Sequence, residues 1–203
     1  MHSCLNSATH HYFAVSHFHL EQKFSQINFT LSGWSKAEFE SCTFLSCDFS
    51  GLDLSGCTFI DCVFTDCNLS VASLYKCSFQ QVIFKDCKML GLRFDKCEPI
   101  GLSASFHGCM MTHTSFFGCK MRGTHFTNCK LAEVDFSEAD FTAVNFSGCD
   151  LSGSVFDNTV LDKADFKYAE NFNLDPEKNS LKKARFSRAT LHGLLMKYNL
   201  IIE

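Results

Sequence analysis

The apolar residues of this 203-residue chain recur at every fifth position over most of its length. From Phe24 to Phe94 each fifth residue is Phe, Leu, Met or Trp, and after a shift of two residues the same spacing runs from Phe106 to Phe166. These 28 positions hold 18 of the 23 phenylalanines. A helix has a period of about 3.6 residues and a strand a period of about 2, so neither explains the spacing. A chain that turns a corner every five residues would produce this spacing. Short repeats of this kind stack into solenoids.

Two further residue classes follow the same five-residue unit. Twelve of the 13 cysteines lie in one register, two residues before an apolar centre or, for Cys97, before Pro99, which predicts a second and smaller inward position. Glycines lie two residues after a centre, where a tight turn needs a positive φ. These glycines are Gly51, Gly56, Gly91, Gly108, Gly118, Gly123, Gly148 and Gly153, and Asp61, Asp66, Asp86 and Asn128 occupy the same place in other units.

Over roughly residues 22–192 the unit resembles the pentapeptide-repeat family, whose consensus is a small residue, a polar residue, Leu or Phe, and two turn residues. The segments 47–51, 139–141 and 149–153 match it closely. The resemblance implies an all-β fold, a right-handed quadrilateral β-helix with four five-residue sides, in which residues twenty apart stack.

The sequence itself supports this stacking when a two-residue insertion is allowed near Pro99 to Ser103, where Pro99 interrupts the apolar centres. One side of the tube then consists of phenylalanine alone. These predicted core residues are Phe24, Phe44, Phe64, Phe84, Phe106, Phe126, Phe146 and Phe166.

We expect three segments: an N-terminal cap over residues 1–21, the β-helix over residues 22–187, and a C-terminal helix and tail over residues 188–203. The end of a solenoid exposes an apolar cross-section, so it needs a cap or a partner. Homologues that act on topoisomerases dimerise through a similar C-terminal element, and the apolar tail favours a homodimer over a simple monomer cap. The expected contacts are Leu191, Leu194, Leu195, Leu200, Ile201 and Ile202.

Four histidines, His10, His11, His17 and His19, precede the first coil. A metal site is one interpretation, but the cysteines that would complete it point inward. We therefore predict no metal site. Instead, four apolar residues should cover the first coil, with the histidines on its solvent side. The covering residues are Tyr12, Phe13, Phe18 and Leu20.

No nucleophile elbow, phosphate loop or metal-ligand spacing is present in the sequence, so we predict no catalytic residues, no cofactor and no enzymatic activity. The regular cysteines act as small buried hydrophobes, which predicts reduced thiols. There is no run of 18 apolar residues and no secretory signal pattern in the first twenty residues. These features predict a cytoplasmic protein without a membrane segment.

The net charge of −4 is unevenly distributed. Residues 38–75 carry six acids and no bases, residues 76–130 carry eight bases and three acids, and residues 131–177 carry eleven acids and two bases. Residues 178–203 carry six bases and one acid. Two acidic bands separated by a basic band bear on the choice of partner.

The quinolone-resistance, microcin-immunity and albicidin-immunity members of the family are dimeric rods of about this size. They resemble duplex DNA in width and charge, and they bind DNA gyrase or topoisomerase IV to counter topoisomerase poisons. The resemblance implies the same partners here, without direct binding of nucleic acid. The residues that would replace phosphates are the outward acids Asp48, Asp53, Asp135, Asp140, Asp150 and Asp165.

Two features differ from that group. The chain lacks the long projecting loops of several quinolone-resistance members, and four bases occupy outward positions in the middle of the rod. These bases are Lys88, Arg93, Lys120 and Lys130. The alternative hypothesis is a protein-binding solenoid scaffold without a topoisomerase role.

Overall fold

The structure, a computed structural model, describes residues 4–5 and 17–201. Its strands are short and run parallel. In chain order they are β1 (Cys4–Leu5), β2 (Phe18–Leu20), β3 (Lys23–Ser25), β4 (Glu38–Glu40), β5 (Thr43–Leu45), β6 (Thr58–Ile60), β7 (Val63–Thr65), β8 (Ser78–Gln80), β9 (Val82–Lys85), β10 (Ala104–His107) and β11 (Phe126–Thr127). One sheet has the order β1-β3-β5-β7-β9-β10-β11, and the other has the order β2-β4-β6-β8.

Strand pairing repeats at twenty residues, because Phe24 pairs with Phe44 and Phe44 with Phe64. The chain is therefore a right-handed quadrilateral β-helix, as the sequence predicted. Isolated bridges such as Asp48 to Asn68 continue the spacing on the sides that lack regular strands. We number the four faces by the columns of inward residues: the first face contains Phe44, the second Phe49, the third Leu54 and the fourth Phe59.

The two-residue insertion lies where it was predicted. Phe106 pairs with Phe84, a separation of 22 residues instead of twenty. The Glu98 amide still donates to the Cys77 carbonyl at the usual spacing, so the extra residues lie between Glu98 and Ala104. The 3-10 helix Phe94–Lys96 precedes the insertion.

The corners of the helix have positive φ at the glycines, aspartates and asparagine that the spacing predicted, for example +65° at Gly51 and +52° at Asp61. This conformation costs glycine little and is tolerated by Asp and Asn. Val71 has the same conformation, with φ of +54°, although β-branched residues rarely adopt it.

The core is a set of stacked side chains along the axis. All eight phenylalanines of the predicted column are fully buried. Their successive ring centroids are 4.5 to 5.4 Å apart, and Phe186 extends the column beyond Phe166 at 5.1 Å. Each ring is thus in contact with rings of the coils above and below, as aromatic stacking favours.

The inward cysteines of the described residues are free and buried. At the corner between the first and second faces their thiols donate to main-chain carbonyls of the preceding coil: Cys67 Sγ to Phe44 O at 3.4 Å and Cys129 Sγ to Phe106 O at 3.4 Å. At the corner between the third and fourth faces the backbone closes the turn instead, as from Cys77 N to Leu74 O at 3.0 Å. Cys62 Sγ also donates to Phe39 O, at 3.3 Å, at the corner between the fourth and first faces. Cysteine therefore has a hydrogen-bonding role at these two corners and a packing role at the corner between the third and fourth faces.

The predicted arrangement of the first coil was wrong for His19, Phe18 and Leu20, whereas His17 is exposed as predicted. His19 is buried and stacks on Phe39 with a centroid distance of 4.8 Å, while Phe18 and Leu20 are exposed. Residue 19 lies five before Phe24 and so continues the inward spacing, and strand alternation turns its two neighbours outward. His10, His11, Tyr12 and Phe13 lie outside the described residues.

The C-terminal helix consists of two 3-10 helices, Arg188–Leu194 and Met196–Tyr198. Gly193 lies against the last coil, where an added Cβ would be 2.5 Å from the Phe172 ring and carbonyl. The Leu174 amide donates to the Gly193 carbonyl at 2.9 Å. The segment therefore covers the end of the Phe172 coil.

Candidate functional site

The outward aspartates have a structural function in the repeat. The Ser50 amide donates to Asp48 Oδ1 at 2.9 Å, and the Ser137 amide donates to Asp135 Oδ1 at 3.0 Å. Asp53 accepts the equivalent bond from Ser55 at 3.0 Å. Such bonds between a side chain and the amide two residues later stabilise turns. One carboxylate oxygen therefore serves the turn, and the charge still faces outward.

Asparagine performs the same function where the repeat lacks aspartate. Asn28 accepts from the Thr30 amide at 2.9 Å, and Asn145 accepts from the Ser147 amide at 2.8 Å. The fold thus needs an acceptor at this place but not a charge.

The six predicted acids are distributed over all four faces. Asp48 and Asp150 lie in one column of the second face, and Asp165 lies on the first face. Asp53 and Asp135 lie on the third face, and Asp140 lies on the fourth face. Asp135 and Asp140 occupy adjacent faces of one coil. A partner that bound to one face through a flat surface would contact at most two of the six aspartates.

Nearby cations approach two of these carboxylates, at hydrogen-bond distance for Asp140 and more loosely for Asp165. Arg122 donates to Asp140 at 2.7 and 2.8 Å, and Lys167 and Arg185 each approach Asp165 at 3.6 Å. Burial opposes ionisation of Asp140, but the hydrogen bonds from Arg122 and its own turn lower the net pKa of the carboxyl group.

Asp150 is ionised for a different reason. Hydrogen bonds from Ser152 and Asn171 lower its pKa, and the Asn171 amide lies 2.9 Å from Asp150 Oδ1. Neither donor is charged, so the carboxylate keeps its net negative charge at neutral pH.

The bases of the middle coils interrupt the acidic columns. Lys88 and Lys130 are exposed on the second face between Asp48 and Asp150, with the partly exposed Met110 between them. Arg93 interrupts the third face, and Lys120 pairs directly with Asp140 on the fourth face.

The acidic surface is instead concentrated toward the C-terminal end. Besides the predicted acids, Glu133 and Glu138 are exposed at corners, and Glu170 is exposed beyond Asp150 on the second face. Together with Asp157 they place negative charge on every side of the rod between residues 131 and 177. The sequence prediction missed these acids as candidates because it considered only the position before each apolar centre.

The apolar C-terminal end is partly exposed. Leu191 and Leu195 are moderately exposed, while Leu200 and Ile201 are 58% and 91% exposed. Leu194 packs against the core. Ile202 lies outside the described residues.

Polar contacts hold this end to the last coil. Lys197 Nζ lies 2.7 Å from Asp175 Oδ1 and 2.8 Å from Glu177 Oε2, and the Tyr198 hydroxyl donates to Glu177 at 3.0 Å. We call these four residues the C-terminal latch. The Lys197 hydrogen bonds lower the pKa values of both carboxyl groups.

The structure also bears on catalysis and metal binding. Burial raises the pKa of the Cys119 thiol to about 12, which disfavours the nucleophilic thiolate. Among the residues that the structure describes, no three His, Cys, Asp or Glu side chains are grouped so as to hold a metal ion. Within the same residues, no helix is long and apolar enough to span a bilayer.

Comparison with known proteins agrees with the architecture. A family model described as a pentapeptide repeat region matches residues 37–99 and 94–166. A trypsin-treated variant of QnrB1, a plasmid-mediated fluoroquinolone resistance protein, is 19% identical with a TM-score of 0.61, covering 92% of this chain and 100% of that one. Full-length QnrB1 is 20% identical with a TM-score of 0.50, covering 91% and 100%.

A third solved structure has a different biological role. HetL, a pentapeptide-repeat protein involved in heterocyst differentiation regulation from the cyanobacterium Nostoc sp. strain PCC 7120, is 15% identical with a TM-score of 0.60, covering 85% of this chain and 88% of that one. At such identities the likeness concerns the fold. No curated protein matches the chain.

Proposed function

The chain belongs to the pentapeptide-repeat family, since the matched segments run from residue 37 to residue 166, and on this premise we propose that it binds DNA gyrase or topoisomerase IV and protects it from topoisomerase poisons. It would do so without catalysis, as a rod that presents carboxylates to a basic groove. The observation that carries the proposal is the acidic surface around residues 131–177 of a narrow β-helix. The fold likeness to a fluoroquinolone resistance protein supports the choice of partner.

The exposed apolar end at Leu200 and Ile201 extends the proposal to a homodimer joined by its C-terminal ends. A two-fold axis there would place two acidic regions next to each other at the centre of a longer rod. The dimer would then have the acidic bands of residues 131–177 on both sides of the two-fold axis. The basic bands of residues 76–130 would lie farther from the axis along the rod.

The test is a gyrase supercoiling assay with purified protein, with and without a fluoroquinolone. We expect protection or inhibition at micromolar protein concentration. A triple variant, Asp135→Asn, Asp150→Asn and Asp165→Asn, should lose the effect, because asparagine keeps the turn acceptor and removes the charge.

A matched control removes three acids from corners in the other half of the rod: Asp61→Asn, Asp66→Asn and Asp86→Asn. Asn128 already occupies this corner position with a φ of +53°, so the control should fold. If the wild-type protein has no effect on supercoiling, or if both triple variants lose it equally, the topoisomerase proposal fails.

The scaffold hypothesis is the second candidate, and one observation favours it. Lys88, Arg93, Lys120 and Lys130 break the acidic columns on three faces, which a phosphate-like surface would not require. If the protein neither inhibits gyrase nor protects it from the fluoroquinolone in the supercoiling assay, the result would support this alternative.

A further inference from the structure

The third face carries two exposed aromatic residues that the repeat does not require. The outward position after each apolar centre is polar in most coils of this face, as at Ser55, Asp95, Ser137 and Asp157. In two coils it is aromatic instead: Tyr75 is 57% exposed and Phe117 is 44% exposed. Aromatic side chains on a surface otherwise filled by serine and aspartate are typical of binding sites.

Two cations lie in the coil between these aromatic residues. Arg93 donates to both Asp95 oxygens at 2.7 and 2.8 Å, and Lys96 Nζ lies 3.1 Å from Asp95. The Asp95 side chain is only 4% exposed, whereas those of Arg93 and Lys96 are 56% and 55% exposed. The carboxylate thus positions both cations while the surface presents positive charge.

Two further residues complete the surface. Lys76 Nζ lies 5.4 Å from the centre of the Tyr75 ring, within cation–π range. Val71 is exposed at the corner where the same coil enters the third face, and it is the one β-branched residue with positive φ among those the structure describes. An apolar side chain is thus kept at a backbone position that disfavours it.

We call this surface the aromatic–basic patch and define it as Val71, Tyr75, Lys76, Arg93, Lys96 and Phe117. It spans three coils, and Tyr75 and Phe117 lie two coils apart, about 10 Å at the spacing of neighbouring strands. A globular interface buries about 800 Å² on each partner, much more than three coils of one face offer. The dimensions therefore suit a short segment of chain.

We propose that the aromatic–basic patch binds an acidic, extended segment of a partner protein. In a polyproline II helix, side chains three residues apart project from the same side at intervals of about 9 Å. Apolar side chains at that interval would contact Tyr75 and Phe117, and carboxylates between them would meet Arg93 and Lys96. The positive charge selects an acidic segment over a basic one. This inference does not depend on a topoisomerase partner.

The test uses a fluorescein-labelled peptide of four Leu-Glu-Pro repeats, titrated by fluorescence anisotropy with the full-length protein. We expect saturable, salt-sensitive binding. The double variant Tyr75→Ser and Phe117→Ser places at both positions the serine that other coils of this face have there. It should weaken peptide binding at least about tenfold. Val71→Gly should weaken it as well while making the protein more stable, because glycine relieves the positive φ.

Tyr168→Ser is the matched control, since Tyr168 is also exposed and has Lys167 Nζ 5.8 Å from its ring centre, but it lies outside the patch. The control should bind like the wild type. The proposal is overturned if the peptide does not bind, if Tyr168→Ser weakens binding equally, or if a Leu-Lys-Pro peptide binds as well. Tighter binding of a labelled twelve-residue oligothymidylate, lost in the double variant, would assign the patch to nucleic acid instead.

The double variant also separates this inference from the proposed function. If the patch acts independently, Tyr75→Ser with Phe117→Ser should leave the effect on supercoiling unchanged while peptide binding is lost.

Discussion

At the scale of single residues, one position in the repeat has two different physical roles. The small inward residue fills space in every coil, but at some corners it also donates a hydrogen bond to a buried carbonyl. Thr114 Oγ1 donates to Met89 O at 3.0 Å, and Thr159 Oγ1 donates to Phe136 O at 3.0 Å, as Cys67 does with its thiol. Buried carbonyl groups are seldom left without a donor, which explains the choice of Cys, Ser and Thr over Ala at these corners.

This difference predicts unequal effects of two similar substitutions. Cys67→Ala removes the donor to the Phe44 carbonyl, whereas Cys77→Ala leaves the turn bond from its own amide to Leu74 intact. We expect Cys67→Ala to lower the free energy of unfolding by about 1 kcal/mol more than Cys77→Ala. Urea unfolding followed by circular dichroism measures both, and Cys67→Ser should recover part of the difference. Equal losses would contradict a hydrogen-bonding role for the thiol.

At the scale of elements, the C-terminal 3-10 helices depend on a few contacts with the last coil. Gly193 permits the close approach to Phe172, and the C-terminal latch supplies the ionic contacts. The latch is partly solvent-exposed and depends on charge, so salt and pH should weaken it more readily than they weaken the aromatic columns.

The latch should open in acid. Because Lys197 lowers the pKa values of Asp175 and Glu177, the carboxylates contribute stability above their ordinary pKa of about 4, and this is lost as the pH falls through the lowered values. Hydrogen-exchange protection of the Leu174 amide, which is bonded to Gly193, reports the contact. Lys197→Met should reduce this protection at neutral pH and remove its acid dependence. Lys120→Met serves as the control, because Lys120 is exposed on the fourth face away from the latch, and it should behave like the wild type.

At the scale of the whole molecule, the proposed dimer decides how the charge bands are arranged. As a monomer the rod has two acidic bands, at residues 38–75 and 131–177, with the basic band of residues 76–130 between them. A C-terminal dimer would combine two acidic regions around the two-fold axis, and it would bury apolar side chains that are exposed in the monomer.

Substitution of one exposed isoleucine tests this arrangement. Ile201→Asp places a charge in the proposed interface and should convert a dimer to a monomer in sedimentation velocity at micromolar concentration. Ile100→Asp is the control, because Ile100 is 80% exposed at the insertion, away from the C-terminal end. A monomeric wild type, or dissociation by Ile100→Asp as well, would be evidence against the C-terminal dimer.

The five-residue spacing was sufficient to predict the β-helix, its twenty-residue register, the place of the insertion and the corners with positive φ. These features are local, since each depends on a residue type at a fixed place in a five-residue unit. The prediction for the first coil was wrong, because it followed the apolar character of Phe18 and Leu20 and did not extend the five-residue count to His19.

How the side chains of different coils combine could not be predicted from the spacing and became apparent from the structure. The folded chain distributed the six predicted acids over four faces, joined Arg122 to Asp140, and positioned Arg93 and Lys96 on Asp95 between two exposed aromatic residues. The physical reason is that a repeat sets which residues are stacked, whereas exposure, ion pairing and hydrogen bonding depend on the particular side chains that occupy the neighbouring coils.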